Sequence, residues 1–228
     1  MILLTDNENI QPLSPENLLL KLEENGVSIV EKDIRRDIET VKRIGYYKLK
    51  EIAQYYVLEK NEKISFKNLL ERYYCDKQLR MNTLHAIEDI EIYLHNCIGE
   101  LFGNKYGPFG YLDFKNWCDK AKFNKNEVKE DEHKFKKKLA KKAKKSRMPD
   151  LKEQKNLNSK SYPTVWLAME VLTLGELVFL YRRMSVKNKK IIATKFNTNQ
   201  TELLSWLECL NLIRNICCHN SNLVNIKL

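Results

Sequence analysis

Residues 205–225 read SWLECLNLIRNICCHNSNLVN. Trp206, Leu207, Leu210, Ile213 and Cys217 recur at steps of one, three, three and four, which traces one apolar helix face. The same helix carries Arg214, Asn215 and His219. Residues four apart share a face and residues five apart stand about 140° round. Asn215 and His219 therefore point the same way, and Arg214 has to reach round with its long side chain. One helix makes a poor site from these parts. Two such helices across a two-fold axis make a better one, since each brings an imidazole, an amide and a guanidinium to one cleft. The spacing thus favours a homodimer. The plainer reading makes Arg214 a surface residue and His219 a satisfied helix-end histidine.

The rest of the chain fits an all-α protein. It has 228 residues, with seven Gly and five Pro, and no long alternating strand pattern. That length is enough to bury most of its apolar surface. No apolar run approaches a membrane span, and the first residues, MILLTDNENIQPLSP, lack a basic stretch and a cleavage site. The six cysteines form no C-x-x-C pair and fall mostly on apolar helix faces. That is the pattern of reduced thiols in a cytoplasmic protein, with no zinc and no other metal or cofactor expected. Cys217 and Cys218 read as packing. No phosphate-binding loop and no dinucleotide glycine motif occurs.

Ser14-Pro15-Glu16 marks a helix start, and Asn25-Gly26 its end. A second helix is expected from Glu31 to Ile44, broken by Gly45, and a third from Tyr46 to Tyr56. Tyr46, Tyr47 and Lys48 are either aromatic core packing or an aromatic, basic surface on which RNA bases stack. Ser65 caps a short helix through Tyr73, and Asp76 starts a long one ending near Phe102-Gly103. Glu91 and His95 on its polar side are a helix-surface pair or line the site from a neighbouring helix. Residues 103–114 hold three of the seven glycines and read as a hinge or loop.

From Lys115 to Lys160 there are 17 Lys or Arg against 7 Asp or Glu, a balance of +10. The entire net charge of +10 therefore lies in this stretch. Its middle, Lys134 to Arg147, reads KFKKKLAKKAKKSR, with Phe135, Leu139 and Ala143 at steps of four. Lys134, Lys136, Lys137, Lys138, Lys141, Lys142, Lys144, Lys145 and Arg147 make it a basic helix. Such a block is a solvated arm or a polyanion-binding surface, and its apolar stripe is thin for a membrane surface. RNA phosphate is the simplest anion, bound by counterion release with little regard to sequence. Beyond it, Trp166, Met169, Val171, Leu172 and Leu177 read as core. Glu170 on that apolar stretch calls for a partner such as Arg214. Ser185 caps the next helix, and Thr198 or Asn199 the one that bears the motif.

Three stretches in order resemble the Abi-like abortive-infection family of the AbiD/AbiF type. They are Arg43-Ile44-Gly45-Tyr46-Tyr47-Lys48-Leu49, the stretch from Pro163 and Trp166 through Glu170 to Gly175 and Leu177, and Leu212 through Asn225. The last is similar to RNxxAHHxRLxN, with Cys218, Asn220 and Asn222 where that pattern has Ala, His and Arg. In the same family a helix usually carries an acid followed four residues later by Arg; Glu91 fits the acid and His95 replaces the Arg. Arg214 and His219 also fit the Arg-x4-6-His signature of HEPN-type ribonucleases.

The resemblance implies a HEPN-type helical bundle over 76–228, a Lys-rich helical insert at about 115–160 and an N-terminal helical region over 1–75. It implies a metal-independent RNA endonuclease of phage defence, possessed of a small noncoding RNA as partner in some relatives. RNA brings its own nucleophile, the 2′-hydroxyl. His219 then moves the proton, Arg214 binds the phosphoryl oxygens and Asn215 orients, with Asn220, Glu170 and Glu91 in support. Two alternatives stay open: an inactive HEPN domain that binds RNA without cutting it, and a helical DNA-binding regulator.

Overall fold

The computed structural model describes residues 12–59 and 62–224. Among them the chain is helical, apart from one pair of two-residue strands and two isolated bridges. The described residues divide into two compact units, one drawn from residues up to 82 together with those from 216 onward, the other residues 83–215.

In the first unit, α1 spans Pro15–Glu24. Ser14 caps it, its hydroxyl accepting the Asn17 N–H at 3.3 Å. The expected second helix begins later, at Ile34, behind a tight turn at Glu31–Asp33, and α2 runs Ile34–Ile44. Gly45 then takes φ 94°, ψ 139°, a conformation that a side chain resists, and α3 follows at once as Tyr46–Gln54. Between α1 and α2 lies β1, Val27–Ser28, which pairs in parallel with β2, Ile64–Ser65. Leu19, Leu22, Val41, Leu49, Ile52 and Leu69 form the core here.

Ser65 does cap the next helix, its hydroxyl accepting the Asn68 N–H at 3.2 Å. That helix, α4, does not stop at Tyr73. It is one continuous element, Phe66–Tyr106, of 41 residues. No Gly or Pro occurs between Phe66 and Ile98 to interrupt it.

The second unit holds the larger core. The expected hinge and basic insert supply its centre. Tyr111, Phe114, Trp117 and Cys118 are buried, and so are Phe135 and Leu139 of α5, Lys125–Lys145. The Phe114 and Trp117 ring centres lie 4.3 Å apart, and Phe102 meets Trp117 at 4.9 Å. The polar tips are satisfied: Tyr111 Oη donates to the Pro163 carbonyl at 2.8 Å and Trp117 Nε1 to the Tyr111 carbonyl at 2.9 Å. Residues 115–160 are thus integral to this unit and not an appended arm. Glycines mark the turns, while the aromatic residues between them decide burial.

Three shorter helices complete the packing: α6 Val165–Glu170, α7 Leu174–Arg183 and α8 Val186–Lys195. Ser185 caps α8, accepting the Asn188 N–H at 3.4 Å. Met169, Leu172 and Leu177 are core as expected, and Val171 is partly buried against it. Trp166 is not core; half of it is exposed, at 51%. It lies over Gly103 of α4, where an added Cβ would come within 2.6 Å of the ring.

Candidate functional site

The motif helix is α9, Gln200–Cys218. Asn199 caps it, its Oδ1 accepting the N–H groups of Thr201 at 3.0 Å and Glu202 at 2.9 Å. Leu203, Leu207 and Cys217 are buried and Leu210 and Ile213 partly so, but Trp206 is 51% exposed and not part of the apolar face. Arg214 and Asn215 are half-buried near the end of the helix, and His219 follows its last residue, exposed. None of the three side chains makes a hydrogen bond or ion pair with another described residue.

The helix end itself is fixed. Ser221 N–H donates to the Ile216 carbonyl at 3.0 Å and Asn220 N–H to the Cys217 carbonyl at 3.3 Å. This pair of bonds is the Schellman motif, which needs a left-handed residue after the helix. Asn220 supplies it with φ 56°, and Asn tolerates that region better than most residues. Lys48 Nζ donates to the Asn220 carbonyl at 2.7 Å. A cation at a helix C-terminus also suits the macrodipole.

Beneath this cap lies a buried ion pair that the sequence reading missed. Asp76 and Arg80 of α4 are 5% and 6% exposed. Arg80 Nε donates to Asp76 Oδ2 at 2.8 Å and its Nη1 to Asn220 Oδ1 at 3.0 Å. Asp76 Oδ1 accepts the backbone N–H groups of Leu223 at 2.7 Å and Val224 at 3.0 Å. Asn222 Oδ1 accepts the same Val224 N–H at 3.1 Å. The signal was present as an acid and an Arg at i, i+4, the spacing of a helix-face pair.

Asn220 and Asn222, departures from the family pattern, therefore have local structural work. Cys217 is buried beside this pair. Burial pushes its thiol up, against the weaker pull of Arg80, so it stays a neutral packing group. Cys218, in contrast to expectation, is exposed.

A graded pair of substitutions isolates the cap. Asn220→Ala loses the left-handed preference, worth roughly 1–2 kcal/mol, and a hydrogen bond to a charged group, worth roughly 1.5–3 kcal/mol. Asn220→Gly loses only the second. Denaturation midpoints should fall in the order wild type, Gly, Ala. Equal midpoints for Gly and wild type would mean that the Arg80 contact contributes nothing.

The remaining predicted residues scatter. Tyr46 is 9% exposed and packs in the core of the first unit, so it offers no stacking face, whereas Tyr47 is 82% exposed. Lys48 is engaged at the helix cap. Glu170 is exposed at the end of α6 and pairs with no described residue, so the expected partnership with Arg214 is absent. Glu91 and His95 are half-buried and form no pair, and among the described residues His95 Nε2 is buried without a partner.

On α5, Lys134, Lys137, Lys138, Lys141, Lys144 and Lys145 fall within an arc of about 120° at 100° per residue. Phe135 and Leu139 lie on the opposite, buried side. Lys136 and Lys142 flank that side and are spent on Glu132 and Glu176, while Lys134 pairs with Glu130 at 2.6 Å. Lys137, Lys138, Lys141, Lys144, Lys145 and Arg147 are exposed and have no carboxylate partner among the described residues.

Among the described residues no three His, Cys, Asp or Glu side chains gather as a metal-binding set, and no helix is long and apolar enough to cross a membrane. No curated protein and no solved structure matches the chain. The family model described as Abi-like protein matches residues 39–225, a span that contains α3 with Lys48, the Asp76–Arg80 pair and the capped end of α9. The chain belongs to the Abi-like protein family.

Proposed function

We propose that the protein is a HEPN-type endoribonuclease of a phage-defence system, cutting RNA by attack of the 2′-hydroxyl on the adjacent phosphorus. The observation that carries this reading is the state of Arg214, Asn215 and His219. All three have hydrogen-bonding capacity and no described partner, at the end of a helix whose cap is tied to a buried ion pair. The imidazole of His219 takes the 2′-hydroxyl proton or gives one to the departing 5′-oxygen. The Arg214 guanidinium donates to the phosphoryl oxygens as charge grows on them, and Asn215 orients the imidazole or the phosphate. The products are a 2′,3′-cyclic phosphate and a 5′-hydroxyl. Two copies meeting about a two-fold axis complete the site, and a small noncoding RNA is a further partner. Incubating a synthetic RNA with the protein in excess EDTA and identifying both new ends tests the chemistry. Ends bearing a 3′-hydroxyl, or cleavage that needs added magnesium, would overturn it.

RNA is held by the exposed cationic face of α5. Each phosphate neutralised on a single strand contributes about 0.7 to the slope of log affinity against log salt. Replacing Lys137, Lys141, Lys144 and Lys145 with Gln is expected to weaken binding at low salt and to flatten that slope by up to about 3. Gln at Lys136 and Lys142, already committed to carboxylates, has the smaller effect. Anisotropy titrations from low to high salt check both, and an unchanged slope in the fourfold variant removes α5 as the RNA surface.

A further inference from the structure

The second unit contains a cleft of about 860 Å³ between the turn around Lys115 and the first turns of α5. Clefts that hold small organic ligands run from about 300 to 1,000 Å³. Cys118, Phe123 and Val128 are the apolar part of its lining. Cys118 is buried and its thiol is pushed up to about 12 by burial, so it adds no charge there. The Arg183 guanidinium lies 4.0 Å from the centre of the Phe123 ring and is itself held by Asp131 at 2.7 Å. Glu132 of α5 accepts the Phe114 N–H at 2.9 Å, tying the two walls together. The cleft is thus fixed before any ligand arrives.

The charge around it has one sign to spare. Of its two acids, Asp113 is paired with Lys115 at 2.9 Å, and Glu132 with Lys136. Lys120, Lys125 and Lys129 also line the cleft, exposed and without a carboxylate partner among the described residues. A partly aromatic, apolar lining shared with three lysines that have no described carboxylate partner suits a ligand that is flat and apolar in its body and anionic at its edge. Lys125 and Lys129 also begin the helix whose later turns carry the cationic face.

We propose that this cleft takes one unstacked base of single-stranded RNA, with the flanking phosphates on Lys120, Lys125 and Lys129. The proposal rests on the RNA-binding reading above and adds to it a contact with the base. Bases inside a duplex are stacked and paired and cannot enter, whereas single-stranded bases are free to pack on a side-chain platform.

The test compares a labelled single-stranded RNA with a chain of the same length whose residues are all abasic, by anisotropy. The wild type is expected to prefer the natural chain by at least about fivefold, the low end of what one base stack contributes. Val128→Glu, which places a carboxylate in the lining, should bind both chains alike. Should Val128→Glu fail to fold by circular dichroism, Phe123→Ala, which removes the aromatic ring from the lining, decides instead, and should narrow the preference. Equal affinities in the wild type overturn the proposal, as does a preference that survives in the variant. Displacement of only the base-dependent part by polyglutamate also overturns it, in favour of an acidic protein ligand. If the fourfold α5 variant loses affinity while abasic residues make no difference, the cleft falls and the cationic face stands. If the wild type binds neither chain, the RNA reading falls and takes the cleft with it.

Discussion

His219→Ala is expected to lower RNA cleavage by about 10²–10⁴-fold while leaving RNA affinity nearly unchanged. A positioned acid or base contributes about that much to rate. The imidazole is exposed and bonded to no described group, so its loss removes no packing. The cap survives too, because its bonds run between the backbones of Ile216, Cys217, Asn220 and Ser221. On the proposed reading, affinity is drawn from the lysines of α5 and not from a single imidazole. Arg214→Ala is expected to stop cleavage as well, with some loss of affinity, since a guanidinium pairs with ground-state phosphate as well as with the transition state. Single-turnover rates in EDTA, measured beside binding isotherms, separate the two effects. Wild-type cleavage by His219→Ala would sink the assignment. A wild type that cuts no RNA under any condition would leave the domain as an RNA binder. Sedimentation at the concentrations used for cleavage tests the two-fold arrangement independently. A cutting monomer removes the paired cleft without touching the role of His219.

What the sequence reveals here depends on how local the physics is. Ser14, Ser65 and Ser185, and Asn199 as one of two candidates, are readable as caps because each side chain accepts an N–H two or three residues ahead. Asp76 has the same residue chemistry and misled for that reason. It reads as the start of a helix, yet its carboxylate turns to Arg80 on the same helix and to N–H groups almost 150 residues away in sequence. Nothing in a linear pattern announces those partners. Trp166 and Glu170 fail differently. Both sit on α6, which is only six residues long, too short for a periodicity that would tell its sides apart. The arginine, amide and histidine of the motif stand out by their spacing together with the family-like words around them. Their freedom from partners among the described residues, which bears on whether they can act on a substrate, is a property of the fold.

Asp76→Ala should destabilise the first unit by about 3–5 kcal/mol, the cost of breaking one side of a buried charge pair. The carboxylate meets Arg80 Nε, Leu223 N–H and Val224 N–H, and its loss removes one acceptor from each. Asn222 can still receive the Val224 N–H, but nothing described replaces the other two contacts. Asp76→Asn keeps the shape and loses the charge. Its amide can accept from one side only while presenting N–H groups to donors on the other, so it should fall between wild type and Ala. Being buried, the pair is little screened, and the loss should persist at high salt, unlike any defect on α5. Chemical denaturation gives the midpoint, and hydrogen exchange at Leu223 and Val224 gives the local consequence. A large fall in midpoint together with lost protection at those amides marks a network that holds both the unit and the segment after α9. Lost protection at an unchanged midpoint confines its role to that segment. In that case cleavage should fall while RNA affinity holds, because Arg80 also grips Asn220, the residue next to His219. Wild-type protection and midpoint in Asp76→Ala would show that these bonds contribute nothing, and the cap would then have to stand on its backbone bonds alone.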